Sequence, residues 1–232
     1  MALFAIADLH LSLGTDKPMD VFGARWENAA EKLENNWRAA VRGEDTVVIA
    51  GDISWGMTID EAMPDLRFLA SLPGRKILLK GNHDYWWSTK AKLDAALNAE
   101  GLAGFEFMLN NAFSADEFAV CGSRGWNIFG ATPQDDKLLA REVLRLGVSL
   151  KEADALGGEK IAFLHYPPLS PVSECRLFSA PLEEAGVRQC FYGHLHAGGK
   201  GRAFEGTKNG VTYRLISADV LDFMPVRVEP SK

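Results

Sequence analysis

Cysteine is scarce in this chain. Cys121, Cys175 and Cys190 stand far apart and form no Cys-x-x-Cys pair. That excludes a disulfide framework and argues against a thiolate zinc site. Cys121 and Cys190 fall in apolar runs and read as small buried hydrophobes, while Cys175 falls in a loop. Positive charge is also short: 25 Lys and Arg face 31 Asp and Glu, for a net charge of −6. A broad nucleic-acid face needs a basic surface to displace counterions, so none is expected. A nucleotide or another small phosphorylated ligand is still compatible, because bound cations reverse local charge whatever the global balance. No apolar run is long enough to span a bilayer. The start, Met1 to Ala7, has neither the basic opening nor the small-residue cleavage site of a signal peptide. A cytoplasmic protein without a membrane partner is the expectation. No linker, repeat or low-complexity tract divides the 232 residues, which predicts one domain over residues 1–232.

Strand and helix patterns alternate along the chain. Residues 2–7 form an apolar run, and residues 23–42 carry Trp26, Ala30, Leu33, Trp37 and Val41 at helical spacing. Residues 46–50 are β-branched and suit a strand buried on both faces. Thr58 and Glu61 read as a capping box that opens a helix running to Leu72. A strand at 76–79 and a helix at 88–99 follow. Residues 105–109 and 118–121 read as strands paired with each other. Thr132-Pro133 predicts a helix start with a buried stripe of Leu139, Val143, Leu146, Leu150 and Ala153. Strands are predicted at 160–164 and 189–192. The tail, 202–228, reads as strands around Lys208-Asn209-Gly210. The class is α/β with added antiparallel strands.

All five histidines sit in short polar motifs, each after an apolar strand. They are Asp8-Leu9-His10, Gly81-Asn82-His83-Asp84, His165-Tyr166-Pro167-Pro168 and Gly193-His194-Leu195-His196; Gly51-Asp52 adds a carboxylate. Open α/β sheets bind ligands at the carboxyl ends of their strands, so one rim could gather all five blocks. On extended backbone, residues two apart share a face. Asp8 with His10, and His194 with His196, could each grip one ion on that reading. One such histidine is ordinarily a satisfied polar residue; five together read as a metal site. The donor set mixes nitrogen and oxygen without thiolate, which suits Mn, Fe, Zn, Co or Ni. Trp86 and Trp87 read as core packing ahead of base stacking, and Arg124 and Arg176 as structural ahead of phosphate clamps. Residues 166–180 are Pro-rich and read either as a wall of the substrate entrance or as an ordinary long connection.

The five blocks in this order resemble the signature of the calcineurin-like metallophosphoesterases. The compact length and the His-x-Pro-Pro block resemble its small bacterial phosphohydrolases. The resemblance implies a four-layer α/β/β/α sandwich of two mixed sheets flanked by helices. It also implies two divalent or trivalent transition-metal ions. Asp8, His10, Asp52 and His196 would hold the first ion. Asp52, Asn82, His165 and His194 would hold the second, with Asp52 bridging. His83 would bind no metal; it would protonate the leaving oxygen or stabilise the phosphate, oriented by Asp84. The implied activity is hydrolysis of a small phosphoester, a diester ahead of a monoester, by in-line attack of a metal-bridging hydroxide. The alternative is a catalytically inactive metal-binding scaffold of the same fold. A metal-dependent amidohydrolase fits less well, since that class usually opens on His-x-His and needs eight βα units. The protein Ser/Thr phosphatase branch carries an Arg shortly after Gly-Asp and a Glu where Asp84 stands. Neither occurs here, which speaks against that activity.

Overall fold

Alternating aliphatic residues let each strand bury both faces, and two sheets result. The computed structural model describes residues 1–127 and 133–231. In the first sheet, β1 (Leu3–Ile6), β2 (Thr46–Ala50), β3 (Arg75–Leu79) and β4 (Phe105–Met108) run parallel in that order. The second sheet has parallel β6 (Phe118–Ser123), β7 (Glu159–Leu164), β8 (Gln189–Tyr192) and β10 (Val211–Leu215). Its edges are antiparallel: β5 (Phe113–Ala115) beside β6, and β9 (Gly206–Lys208) beside β10. A last strand, β11 (Val226–Val228), pairs antiparallel with β1. Both sheets are therefore mixed.

The period-two pattern decides which residues face where. Leu3, Ala5, Val48 and Ile77 of the first sheet meet Val120, Ile161, Phe163 and Phe191 of the second in a central apolar layer. The opposite face of the first sheet, including Phe4, Ile6, Val47 and Ile49, packs under three helices. These are α1 (Ala29–Ala40), α2 (Ile59–Ser71) and α3 (Lys90–Ala99). The outer face of the second sheet packs under α4 (Pro133–Leu156) and α5 (Arg176–Glu184) through Leu146, Leu150, Phe178 and Leu182. The architecture is the four-layer α/β/β/α sandwich expected.

Three local readings change. The helix expected over 23–42 begins only at Ala29, because Gly23 (φ 117°) and Asn28 (φ 53°) take left-handed backbone that breaks helical hydrogen bonding. The strands near 105 and 118 do not pair with each other. The first joins β3 and the second joins β5 and β7, because all six residues of β6 are buried and need neighbours on both sides. Helix α5 begins at Arg176, within the 166–180 stretch read as an entrance wall or connection, and runs on to Glu184; its amphipathic run carries Phe178 and Leu182 into the core. At the start of α4, Pro133 is the first helical residue, while Thr132 lies outside the described residues. The predicted α4 stripe does face the core: Leu146, Leu150 and Ala153 are buried, and Leu139 and Val143 pack partly buried against the same cluster. Thr58 does cap α2, accepting from Glu61 N at 3.3 Å, and Glu61 reaches back to Met57 N at 2.8 Å. Among the described residues, no helix is long and apolar enough to cross a membrane.

The two sheets are stitched at one rim. Past β1, Ala7 N donates to Ile216 O at 2.9 Å and Ala218 N donates to Ala7 O at 2.8 Å. The carboxyl ends of β1, β2, β3, β7, β8 and β10 meet there.

Candidate metal centre

At that rim the backbone turns abruptly. Asp8 (φ 57°), His10 (φ 46°), Asp52 (φ 52°) and His194 (φ 70°) all take left-handed conformations. Such a residue costs roughly 1–2 kcal/mol without glycine's freedom, and strain of this kind gathers at functional sites. Ladder bonds hold the turns: Asp8 N to Gly51 O, His10 N to Asp52 O and Leu11 N to Ile53 O, each 2.9 Å. The extended-backbone reading of the two His-containing pairs is therefore corrected. Asp8 and His10 do converge, but through left-handed turns. His194 and His196 point to different groups. Two glycines are obligatory here. Gly51 has φ 93°, and a Cβ on Gly81 would lie 2.1 Å from Asp52 Oδ1.

Two donor groups result among the described residues: Asp8, His10 and His196, and Asp52, His165 and His194. In the first, His10 Nε2 and His196 Nε2 lie 3.3 Å apart. In the second, Asn82 Oδ1 lies 2.7 Å from His165 Nε2 and 2.8 Å from His194 Nδ1. Asp52 Oδ2 stands between the groups, 3.7 Å from His10 Nε2 and 3.5 Å from His165 Nε2. All seven residues proposed as ligands from the motifs, Asp8, His10, Asp52, Asn82, His165, His194 and His196, thus gather at one place.

Neighbouring groups orient the donors. His165 Nδ1 donates to Ala50 O at 3.1 Å, which leaves Nε2 with a lone pair facing the oxygens of Asn82 and Asp52. His196 Nδ1 is held by Asp219 Oδ1 at 3.1 Å, turning its Nε2 toward His10. Asp8 accepts from His194 N, at 2.9 Å to Oδ2, and from Ser217 Oγ at 2.7 Å. Imidazole nitrogens and carboxylate and amide oxygens converging on one point, with their far sides held by other groups, are the donor set a cation site needs, and the residues fit one.

The electrostatics agree. Burial, then the nearby Asp52 charge, pushes the Asp8 carboxyl well above its ordinary range. Burial raises the pKa of the Asp52 carboxyl as well. Burial also brings His165 and His194 down to about 3 and holds His10 well below its ordinary value. Burial works against a charged His196 too, but the Asp219 hydrogen bond and the Asp8 charge outweigh it and raise its pKa. Neutral imidazoles are the form that ligates metal, and cations would relieve the crowded carboxylates.

His83 joins neither group. Its ring lies 4.6 Å from Trp55 and 5.7 Å from His10, and its Nδ1 has no hydrogen-bond partner among the described residues. Asp84 does not orient it. Both Asp84 oxygens are taken by the amides of Gly81 (2.7 Å), Asp52 (2.9 Å), Ile53 (2.9 Å) and Ser54 (3.3 Å), and by Trp86 Nε1 (3.0 Å). Its role is corrected to a backbone clamp that locks the β2 and β3 ends together. Trp86 is buried and pairs with Trp87 at 5.3 Å, as core residues do. Arg176 bonds Glu174 and Glu183 on the surface. Arg124 lies over the Trp126 ring at 4.3 Å.

Three residues near the centre, Asp219, Ser217 and Trp55, escaped the motif reading. Asp219 and Ser217 follow β10, whose Ser-Ala-Asp sequence is too common to stand out. Trp55 stacks on His10 at 5.0 Å, and Tyr166 lies 4.3 Å from the His194 ring. A cleft of about 330 Å³ opens beside them, lined by Trp126, Tyr166, His194, His196 and Arg202. Residues 1–198 match the calcineurin-like phosphoesterase family.

The chain belongs to that family.

It is accordingly a phosphoesterase, and calcineurin-like phosphoesterases usually bind two metal ions. Among solved structures it is similar to the phosphopantetheinyl hydrolase of Mycobacterium tuberculosis. The identity is 16%, over 99% of this chain and 96% of that one, with a TM-score of 0.60. A protein of unknown function from Aquifex aeolicus is 16% identical over 97% of this chain and 95% of that one, with a TM-score of 0.51. At this identity the likeness is one of fold. No curated protein matches the chain in sequence.

Proposed function

We propose that this phosphoesterase works with two transition-metal ions on a small phosphodiester. The observation that carries the reading is Asp52 Oδ2, within 3.7 Å of an imidazole nitrogen in each donor group. Asp8, His10, Asp52 and His196 would hold one ion; Asp52, Asn82, His165 and His194 the other. When bound, such a pair supplies Lewis acidity and a nucleophile at neutral pH. Mn, Fe, Zn, Co and Ni all suit this donor set. The chain itself supplies orientation: Ala50 O and Asp219 fix two imidazoles, and Asp84 holds the loops that carry Asp52 and His83. His83, outside both groups and with no hydrogen-bond partner at Nδ1 among the described residues, is the proton donor to the leaving oxygen. The cleft beside His194 receives the leaving alcohol, with Tyr166 and Trp126 as apolar walls. The free, buried Cys121 and Cys190 support a reducing, cytoplasmic setting.

The test is reconstitution with each metal, followed by assay of bis-p-nitrophenyl phosphate, p-nitrophenyl phosphate, nucleotides and a phosphopantetheinyl ester. Two bound metals with preferential diester hydrolysis are expected. Two bound metals with no hydrolysis of any ester would leave the inactive scaffold as the better reading.

A further inference from the structure

A second pocket, of about 440 Å³, lies between the end of β3, the start of α3 and the first half of α4. Its charged lining is Lys80, Lys90, Arg124, Arg141, Arg145 and Glu142. This is a local excess of cations in a chain whose net charge is −6. Lys90 is neutralised by Asp94 at 2.6 Å. The other four cations share the pocket lining with one carboxylate, Glu142. Glu142 is 1% exposed and uses only Oε1, at 2.8 Å from Arg145, 3.5 Å from Arg141 and 3.9 Å from Arg124. One arginine would suffice to neutralise a buried carboxylate. Among the described residues, Arg145 Nη1 makes the one hydrogen bond to Glu142, at 2.8 Å, and Arg141 and Arg124 stand farther from it. Lys80 has no ion-pair partner among the described residues, and the buried Nε of Arg124 has no hydrogen-bond partner there.

A concave surface lined by one sign of charge concentrates counter-ions, and guanidinium forks match the geometry of phosphate. Arg141 and Arg145, four residues apart on α4, share a helix face. The Trp126 ring under Arg124 orients that guanidinium. The pocket also adjoins the candidate metal centre through the backbone. Arg124 O accepts from His165 N at 3.1 Å and Tyr166 N at 3.0 Å, and Lys80 directly precedes Gly81.

We propose that this pocket is a second oxyanion site, which binds a phosphate group outside the candidate metal centre. The phosphate is either the free ion or the phosphate of a small monoester. The inference does not depend on the dimetal reading. Phosphate titration of metal-loaded protein by calorimetry, with the double variant Arg141→Gln/Arg145→Gln beside wild type, tests both separately. Wild type is expected to take up two phosphates and the variant one, with the lost event weakened by about tenfold or more. If the metal centre binds no phosphate, wild type takes up one and the variant none, which still supports the pocket. Identical stoichiometry and affinity in both proteins would overturn the proposal. Arg176→Gln, whose arginine sits in an unrelated surface pair, serves as the control and should titrate like wild type. Glycerol phosphate in a parallel titration distinguishes the two sources: tighter binding than inorganic phosphate assigns the site to a phosphorylated metabolite, weaker binding to the free ion.

Discussion

The amide of His83 donates to Asp52 Oδ1 at 2.8 Å, while its ring rests against Trp55. The next residue, Asp84, turns inward and is fully buried among four amides. Neighbours in one motif therefore have different physics, and their variants should separate. His83→Ala should lower turnover by about 10²–10⁴-fold, the range for a general acid, with metal content by mass spectrometry unchanged. Loss of metal alongside activity would make His83 a ligand and refute its role as a donor. Asp84→Asn leaves donors facing an amide in place of a carboxylate. It should cost roughly 1–3 kcal/mol of stability, visible as a lower melting temperature together with reduced activity. Asp219 is the residue that motif reading could not find. It fixes the ring of His196, and losing such an outer partner typically weakens metal binding 10–100-fold. Asp219→Asn should show that loss in a competitive chelator titration, confined to one of two ions; equal affinity for both ions would remove Asp219 from the centre.

At the scale of the element, β3 carries a charge into the core. Lys76 is 2% exposed, its ammonium donating to Leu72 O. Burial, helped by Arg38, brings its pKa down to about 8. The folded state thus releases this proton more readily than the unfolded chain, whose lysine titrates near 10.5. Between those values the unfolded state binds more protons, so folding stability rises with pH from about 8 to 10.5. Lys76→Met should remove that rise and add roughly 2–3 kcal/mol at pH 7. Guanidinium denaturation of both proteins from pH 7 to 10 measures it; parallel curves would show that Lys76 carries no shift. The boundaries of most elements were legible because they rest on local physics, such as the β-branched run of β2 or the Thr58 cap of α2. The pairing of β4 and β6 was not. Which sheet a buried strand joins depends on neighbours distant in sequence.

Across the whole molecule, the rim concentrates cost. Asp8, Asp52 and Asp84 are buried close together, and four left-handed residues hold the turns around them. Cations that bind only the folded state should stabilise it by about 3–4 kcal/mol at 100–1,000 times the dissociation constant. For a chain of this size that is on the order of 10 °C in melting temperature. Scanning calorimetry with and without chelator measures the shift. Asp52→Asn, which removes the carboxylate between both donor groups, should abolish most of it. A wild-type melting temperature indifferent to chelator would argue against bound metal in the native protein. The sequence by itself determined the α/β class, the order of the polar blocks and the family. Each of these rests on residue type and short spacing, which survive without a third dimension. Only the tertiary structure decided that Asp84 clamps backbone instead of orienting His83, and that Asp219 and Ser217 brace the His196 and Asp8 side chains. The Asp84 clamp and the Asp219 and Ser217 contacts depend on left-handed turns and on chain separations of up to 209 residues, such as Ser217 to Asp8, and no local pattern encodes such a distance.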